Sequence, residues 1–177
     1  MKNYKLDNIN IDDFKSMYNV MEKSFPSIER RNYEDQKKLF HNKYYNVIGY
    51  KDEEDNVCAF LAFWKLKNFN FIEHFAVDDI LRGNGIGTKL LKAYLNNNNK
   101  MTVLEVEMPD NDIAERRIQY YKRMGMKLND YDYVQPPLQE GSPLLPLKIM
   151  SYGREIIHDE FLEVRDKIYK KVYEYSI

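Results

Sequence analysis

The sequence predicts an α/β fold in one domain, on three observations. Apolar runs rich in β-forming residues alternate with segments whose apolar residues recur at helical spacing. The run 57–64 is apolar on both alternating faces, which is typical of a strand covered by layers on either side. The length of 177 residues suffices for one hydrophobic core, and no internal repeat is evident. We therefore expect a single domain over residues 1–177.

The N-terminal half predicts a strand, two helices and a hairpin. A short strand at 4–9 is followed by a helix that begins at Asp12 or Asp13 and ends at Phe25-Pro26. Ser27 is expected to cap a second helix that runs to Phe40. Strands at 44–50 and 57–66 flank a charged turn, a pattern that indicates a hairpin.

The C-terminal half alternates strands and helices. Strands are predicted at 71–77, 101–108, 131–135 and 147–152, and helices at 89–95, 113–124 and 156–175. Gly125 is expected to end the helix at 113–124, and the loop 136–146 carries prolines. An apolar stripe along the last helix predicts that it covers the sheet or meets a second copy of the chain in a homodimer.

Composition excludes several classes of function. The formal net charge of -1 gives no basic surplus, so we expect no nucleic-acid partner. Cys58 is the only cysteine, and no apolar run approaches the ~20 residues of a membrane span. The N-terminus has no apolar signal core, so we expect a cytoplasmic protein without a membrane partner. The three histidines form no ligand spacing with cysteine, and no metal site is predicted.

A glycine-rich loop lies between the strand 71–77 and the helix 89–95. It reads Arg82-Gly83-Asn84-Gly85-Ile86-Gly87-Thr88. Glycines that precede a helix leave backbone N–H groups unshielded at the helix N-terminus, where the helix dipole favours negative charge. Phosphate is the usual ligand of such a site.

Two common phosphate loops fit this spacing poorly. A P-loop requires a Gly-Lys pair, which the sequence lacks. The dinucleotide fingerprint Gly-x-Gly-x-x-Gly would need a third glycine at Thr88. Glu105 and Glu107 lie on the next predicted strand, where that fold places a ribose-binding acid, so a dehydrogenase remains an alternative.

The spacing Arg-x-x-Gly-x-Gly, formed by Arg82, Gly85 and Gly87, resembles the acyl-CoA pyrophosphate loop of the GNAT superfamily of N-acetyltransferases. Residues 71–77 are similar to the strand before that loop. Residues 121–126 resemble the superfamily's Tyr-x-x-x-Gly-Phe element, with Met126 in place of phenylalanine. The resemblance implies a mixed, largely antiparallel central sheet flanked by helices, with a core over 2–152 and an extra C-terminal helix.

The resemblance also implies acetyl-CoA as cosubstrate and names its contacts. Backbone groups of three strand residues should pair with the pantetheine arm, and N–H groups of the loop should bind the pyrophosphate. The strand residues are Phe75, Ala76 and Val77. The loop residues are Arg82, Gly83, Asn84, Gly85, Ile86, Gly87 and Thr88.

Transfer of acetyl to an amine requires a base for the amine and a proton for the departing thiolate. A primary amine has an unperturbed pKa near ~10 and is almost wholly protonated at neutral pH. Glu73 and Glu105 match base positions that different members of the superfamily use, and we favour Glu73. Tyr121 matches the tyrosine that protonates or binds the sulfur. These residues predict direct attack of the amine on acetyl-CoA in a ternary complex.

The acceptor itself is not identified by the sequence beyond an amine on a small molecule or a peptide. In the superfamily, the first two helices and the loop before the last strand line the acceptor side. Glu29, Tyr133 and Gln135 are therefore the candidate substrate-binding residues. A catalytically silent acyl-CoA-binding or regulatory module would keep the same loop without turnover, and it is the alternative to an enzyme.

Overall fold

A computed structural model describes residues 4–176. The outer ends of the predicted domain 1–177 and of the predicted core 2–152 fall on residues 1–3 and 177, which lie outside the described residues. The described chain forms two compact units. Within the described residues, the first unit contains 4–67 and 72–99, and the second contains 68–71 and 100–176.

The observed elements confirm the predicted α/β fold with a largely antiparallel sheet. The strands are β1 (Lys5–Asn8), β2 (Tyr45–Lys51), β3 (Val57–Lys65), β4 (Phe69–Val77), β5 (Met101–Glu107), β6 (Met126–Gln135) and β7 (Leu145–Tyr152). The helices are α1 (Phe14–Ser24), α2 (Tyr33–Lys38), α3 (Ile86–Asn96), α4 (Asp112–Arg123) and α5 (His158–Lys171). The seven strands follow the order β1-β2-β3-β4-β5-β7-β6.

β3 is the centre of the first unit. It pairs antiparallel with β2, and every residue from Val57 to Trp64 is buried. This confirms the interior strand that its two apolar faces predicted. α1 and α3 both pack against β3, and the buried Met17, Met21 and Leu90 belong to this core. Cys58 is also buried, as its apolar surroundings in the sequence predict.

A 3-10 turn that the sequence did not predict precedes α1. Asn10 caps this turn over Ile11–Asp13: its side chain accepts from the Asp12 amide, and the Asp13 carboxylate accepts from the Asn10 amide. Asp13, one of the two predicted positions, is the N-cap residue of α1, but its side chain makes no capping hydrogen bond there.

The second predicted helix, from Ser27 to Phe40, is wrong as one helix. A single 3-10 turn covers Ser27–Glu29, Arg30 is extended, and α2 begins only after Asn32, whose side chain caps it. Arg30 and Arg31, the two arginines at this break, both make tertiary contacts. Arg30 donates to the Phe25 carbonyl oxygen and to the Tyr18 hydroxyl, so the backbone here follows the side-chain partners and not helix propensity.

The second unit contains the antiparallel strands β5, β7 and β6 with α4 and α5. α5 packs against β6, and the rings of Tyr131 and Phe161 stack with their centroids 4.7 Å apart. The predicted C-terminal helix is present but shorter than 156–175. Phe161, Val164 and Ile168 of its apolar stripe are buried, so the stripe covers β6 in its own unit.

β6 contains a wide irregularity where it pairs with β7. Asn129 pairs with Ile149, yet Tyr133 pairs with Leu147, so residues 130–132 lie opposite Lys148 alone. The Lys148 ammonium donates to the Asp130 carboxylate (2.8 Å) and to the Tyr131 carbonyl oxygen (3.3 Å), which holds this bulge in place. The bulge decides which residue of β7 lies opposite Tyr133.

Candidate functional site

The glycine loop of the first unit leads directly into α3. Gly83 and Gly85 have φ angles of 82° and 74°, a left-handed conformation that glycine adopts without steric cost. α3 starts at Ile86 with Gly85 as its N-cap, and no side chain caps its first amides. A Cβ at either glycine would meet no atom within 4 Å, so open space borders the loop. The loop therefore presents a helix N-terminus to a ligand.

Gly87 has a different role from the other two glycines. A Cβ at this position would lie 3.1 Å from Cγ2 of Val77 and 3.3 Å from Cζ of Phe75. The missing side chain lets the first turn of α3 approach the end of β4 closely. Ile86, beside it, is 6% exposed and anchors α3 in the core.

Arg82 braces the loop with its side chain. One guanidinium nitrogen lies 2.7 Å from the Asp79 carboxylate, and Nε donates to the Val77 carbonyl oxygen at 3.2 Å. A second guanidinium nitrogen donates to the Ser24 hydroxyl at 3.4 Å. The side chain is 56% exposed, so its charge also faces solvent beside the loop.

Glu73 of β4 is buried in an ion pair within the first unit. One carboxylate oxygen accepts from Arg31 at 2.5 Å and the other accepts from the Trp64 indole N–H at 2.8 Å. The side chain is 2% exposed. Burial alone would raise the pKa of Glu73, but the charge of Arg31 and the other partners outweigh it and lower the pKa below its ordinary value. Glu73 is thus held as a carboxylate.

His74 is buried beside Glu73 and connects β4 to the segment before α2. Its Nε2 lies 2.9 Å from the Glu29 carbonyl oxygen, which can only accept, so Nε2 carries the proton. Burial lowers the pKa of His74, and the imidazole is neutral at pH 7. The predicted acceptor residue Glu29 therefore uses its main chain to hold this segment, and its side chain is half-buried.

Glu105 of β5, in the second unit, accepts hydrogen bonds from two phenols. The Tyr133 hydroxyl donates to Oε1. The Tyr173 hydroxyl, just beyond α5, lies 2.9 Å from Oε1 and 2.8 Å from Oε2. The structure thus brings together two predicted site residues, one catalytic and one substrate-binding, and adds a third that sequence reasoning missed. No local motif marks Tyr173, because its partner is 68 residues away.

Glu107 points to the same side of β5 as Glu105, as strand alternation predicts, but has a different partner. Its carboxylate lies 2.7 Å from the Arg117 guanidinium on α4. Tyr121, one turn further along α4, is 8% exposed. Burial raises the pKa of the Tyr121 phenol, which keeps its proton at neutral pH.

A groove of about 600 Å³ opens on the second unit. Its lining is rich in tyrosine and includes both signs of charge. The lining residues are Met108, Asp132, Tyr133, Val134, Leu144, Pro146, Leu147, Lys148, Arg165, Tyr169, Tyr175 and Ser176. Gln135, the other predicted substrate residue of this unit, is 5% exposed and is not among them.

Two features are absent from residues 4–176. No three or more side chains of His, Cys, Asp or Glu in this part of the chain are grouped so that they could hold a metal ion. None of its helices combines the length and the apolar character that crossing a membrane requires.

Comparison with known proteins identifies the family. The sequence model of the Acetyltransferase (GNAT) family matches residues 13–126, which is more than half of the chain. The chain belongs to this family. Acetyl-CoA-dependent acetyl transfer is general for GNAT proteins. The match contains the glycine loop, Glu73 and Tyr121, whereas Tyr133 and Tyr173 lie beyond it.

Solved GNAT structures support the assignment. A Bacteroides thetaiotaomicron protein of the GNAT family is 30% identical, with a TM-score of 0.88 over 97% of this chain and 99% of its own. The Escherichia coli ribosomal-protein-S18-alanine N-acetyltransferase is 14% identical (TM-score 0.65, 89% and 97% covered). Arabidopsis thaliana NAA60 with acetyl-CoA is 13% identical (TM-score 0.66, 85% and 98% covered). The latter two show a shared fold alone. A search of curated proteins gave no significant match.

Proposed function

We propose that this GNAT protein transfers the acetyl group of acetyl-CoA to a primary amine of a small molecule or peptide, by direct attack in a ternary complex. The observation that carries the proposal is the loop before α3. Two glycines in the left-handed region precede a helix that begins without a side-chain cap, beside open space. This is the arrangement that binds phosphate groups at helix N-termini.

The loop would hold the pyrophosphate of acetyl-CoA through main-chain N–H groups of Arg82–Thr88. Because Gly83 and Gly85 carry no Cβ over the open side, phosphate oxygens can approach these amides directly. The backbone of Phe75, Ala76 and Val77 at the end of β4 would pair with the pantetheine amides, as an added strand does. Arg82 keeps the turn in shape through Asp79 and adds one positive charge.

Tyr121 is proposed as the proton donor to the departing thiolate. A donor must carry its proton when the C–S bond breaks, and burial keeps this phenol protonated at neutral pH. The ring also lies next to Tyr120, with centroids 5.3 Å apart, which restricts its orientation. Tyr121→Phe should therefore lower kcat while leaving the affinity for acetyl-CoA unchanged.

Glu73 and Glu105 remain the two candidates for the general base. Glu73 has both oxygens bonded to groups that only donate, namely a guanidinium and an indole N–H. Glu105 is bonded to hydroxyls, which both donate and accept. This difference favours Glu105 as the group that finally receives the proton. Comparison of Glu73→Gln with Glu105→Gln in kcat, each measured on folded protein, separates the two.

The test of the cofactor site is Gly85→Asp. A carboxylate in the cradle would repel the pyrophosphate, and two unit charges about 4 Å apart interact by ~4 kcal/mol at an effective dielectric constant of 20. We expect acetyl-CoA affinity, measured by calorimetry, to fall by on the order of 1,000-fold while circular dichroism stays native. Gly141→Asp is the matched control, because Gly141 also has a positive φ and open space around its Cβ position. Unchanged affinity in Gly85→Asp would show that the loop is not the site.

A silent acyl-CoA-binding module is the second candidate, and the Arg31–Glu73 ion pair is the observation that favours it. A base position filled by a buried ion pair suits a protein that has kept the cofactor and lost turnover. Thiol release from acetyl-CoA in the presence of an amine panel separates the two functions. Saturable CoA binding without amine-dependent release of thiol would favour the module.

A further inference from the structure

We propose that Tyr133 is the catalytic residue that takes the proton from the attacking amine while it passes its own phenolic proton to Glu105, and that Tyr173 is a positioning residue for this carboxylate. The inference rests on the proposed function and deepens it. It assigns the proton-transfer route to residues of the second unit, of which Tyr133 and Tyr173 lie beyond the part of the chain that matches the family.

The three side chains already form the required hydrogen-bonded chain. Tyr133 donates its hydroxyl proton to Oε1 of Glu105, so the proton is aligned along the bond that it would cross. Tyr173 contacts both oxygens of the same carboxylate, at 2.9 and 2.8 Å, and so fixes its rotation. Tyr133 is 3% exposed, which keeps competing water from most of its surface.

Of these three hydrogen-bonded side chains, Tyr133 is the one that lines a cavity. It lines the groove of about 600 Å³, whereas Glu105 and Tyr173 are not among the lining residues. A hydroxyl oxygen has lone pairs that can accept from an ammonium or amine N–H while its own proton is donated elsewhere. The proposal places the amine against this hydroxyl, so that its proton reaches Glu105 without contact between the amine and the carboxylate.

The charges at the groove suit a protonated amine. The two cationic lining residues each have an acidic partner: Lys148 lies 2.8 Å from Asp130 and Arg165 lies 2.7 Å from Asp166. The rings of Tyr133 and Tyr169, both lining residues, lie with their centroids 5.7 Å apart. The lining also contains the carboxylate of Asp132.

The relay acts on the bound ammonium. One of its protons moves to the Tyr133 oxygen while the phenolic proton of Tyr133 moves to Glu105, which becomes a neutral carboxylic acid and leaves a neutral amine with a lone pair. The amine nitrogen then forms a bond to the thioester carbonyl carbon, and the C–S bond breaks as the thiolate leaves. The thiolate receives a proton from the donor proposed above, and that donor regains a proton from the acylated nitrogen.

The electrostatics of Tyr133 agree with a relay and not with a phenolate base. Burial, together with the nearby Glu105 carboxylate, raises the pKa of Tyr133 well above its ordinary value. The phenol does not ionise at neutral pH, so it can accept a proton only while it gives one away. The acceptor of that second proton is the carboxylate to which it is bonded.

The experiment compares Tyr133→Phe with Tyr131→Phe in the full chain. Tyr131 is on the same strand, and its hydroxyl donates to the Ile156 carbonyl oxygen at 3.0 Å, so both variants lose one phenolic hydrogen bond. Thiol release from acetyl-CoA is measured with spermidine, kanamycin and a tripeptide that has a free N-terminus, from pH 6 to pH 10. Thermal unfolding of each variant controls for stability.

We expect Tyr133→Phe to lower kcat at pH 7 by about 100-fold or more, with an unchanged KM for acetyl-CoA. Its rate should rise with pH toward the pKa of the amine, because only amine that is already neutral can react. Tyr131→Phe should stay within about twofold of the wild type. Glu105→Gln should match Tyr133→Phe, and the double variant should lose little more than either one, as residues acting in one relay do.

Three results would overturn the inference. If the wild type releases thiol with an amine and Tyr133→Phe behaves like Tyr131→Phe, the relay is wrong and the proposed function stands. The same holds if only Glu105→Gln is impaired, since Glu105 would then act directly. If the wild type releases no thiol with any of the three amines, the proposed function fails and the relay fails with it.

Discussion

Replacement of Glu73 by glutamine tests the buried ion pair at the centre of the first unit. Glu73 is 2% exposed and its partner Arg31 is 9% exposed, so both charges have left water. Removal of one partner of such a pair leaves the other charge buried and typically costs ~3–5 kcal/mol. Glutamine keeps one oxygen that can accept from Trp64, which places the expected loss of unfolding free energy near the lower end, about 3 kcal/mol.

For a chain of this length, 1 kcal/mol corresponds to a Tm change of roughly 2–4 °C, so Glu73→Gln should lower Tm by roughly 6–12 °C. Glu22→Gln is the control, since Glu22 is 58% exposed in its ion pair with Arg30 and should cost less than ~1 kcal/mol. Urea unfolding of Glu73→Gln, Arg31→Gln and the double variant then gives the coupling free energy of the pair, which we expect at about 2 kcal/mol.

The same variant should reveal the pH dependence of the ion pair. The pKa of Glu73 is lower in the folded protein than in the unfolded chain, where a glutamate titrates near ~4.3. The stabilisation is therefore fully present above pH ~4.3 and is lost as the pH falls through the folded-state pKa. The stability gap between wild type and Glu73→Gln should be widest at pH 7, begin to narrow below pH ~4.3 and close as the pH falls through the lower folded-state pKa. Equal, small losses for Glu73→Gln and Glu22→Gln at pH 7 would refute the reasoning.

Two further variants test how α3 and α4 are fixed. Gly87→Ala should lower the unfolding free energy by about 1–3 kcal/mol, because its Cβ would lie 3.1 Å from Val77; equal stability would mean that α3 can move away from β4 without cost. Asn111→Ala should cost ~1 kcal/mol, because the Asn111 side chain accepts from the amides of Ile113 and Ala114 at the start of α4. Thermal unfolding measures both, and an unchanged Tm in Asn111→Ala would rule out this cap as a source of stability.

Features that depend on neighbouring residues were predictable from the sequence. The glycine loop and the interior strand β3 follow from short-range spacing, which determines backbone conformation and burial periodicity. The helix after the loop was predicted too, but α3 begins at Ile86, three residues before the predicted start. Gly125 lies just after the end of α4, as predicted, with a positive φ of 90°. The family resemblance depended on the same local spacings.

Features that depend on distant partners were not predictable. Arg31 and Glu73 are 42 residues apart, and nothing local shows that Arg31 is drawn into a buried ion pair. The residues around it therefore suggested one continuous helix, where the chain has a break. Tyr173 likewise gained its role only through Glu105, because the sequence shows a tyrosine beyond an apolar stripe and no sign of its partner.

The bulge in β6 has a consequence for protein engineering. With regular pairing, the register that joins Asn129 to Ile149 would place Tyr133 opposite Leu145, whereas the bulge places it opposite Leu147. Two residues of strand correspond to about 7 Å, more than the length of a hydrogen bond. Deletion of Asp130 and Tyr131 would remove the two extra residues and still leave Tyr133 opposite Leu147, while the stacking of Tyr131 on Phe161 would be lost. Designs that shorten β6 within residues 130–132 should therefore keep the register of Tyr133.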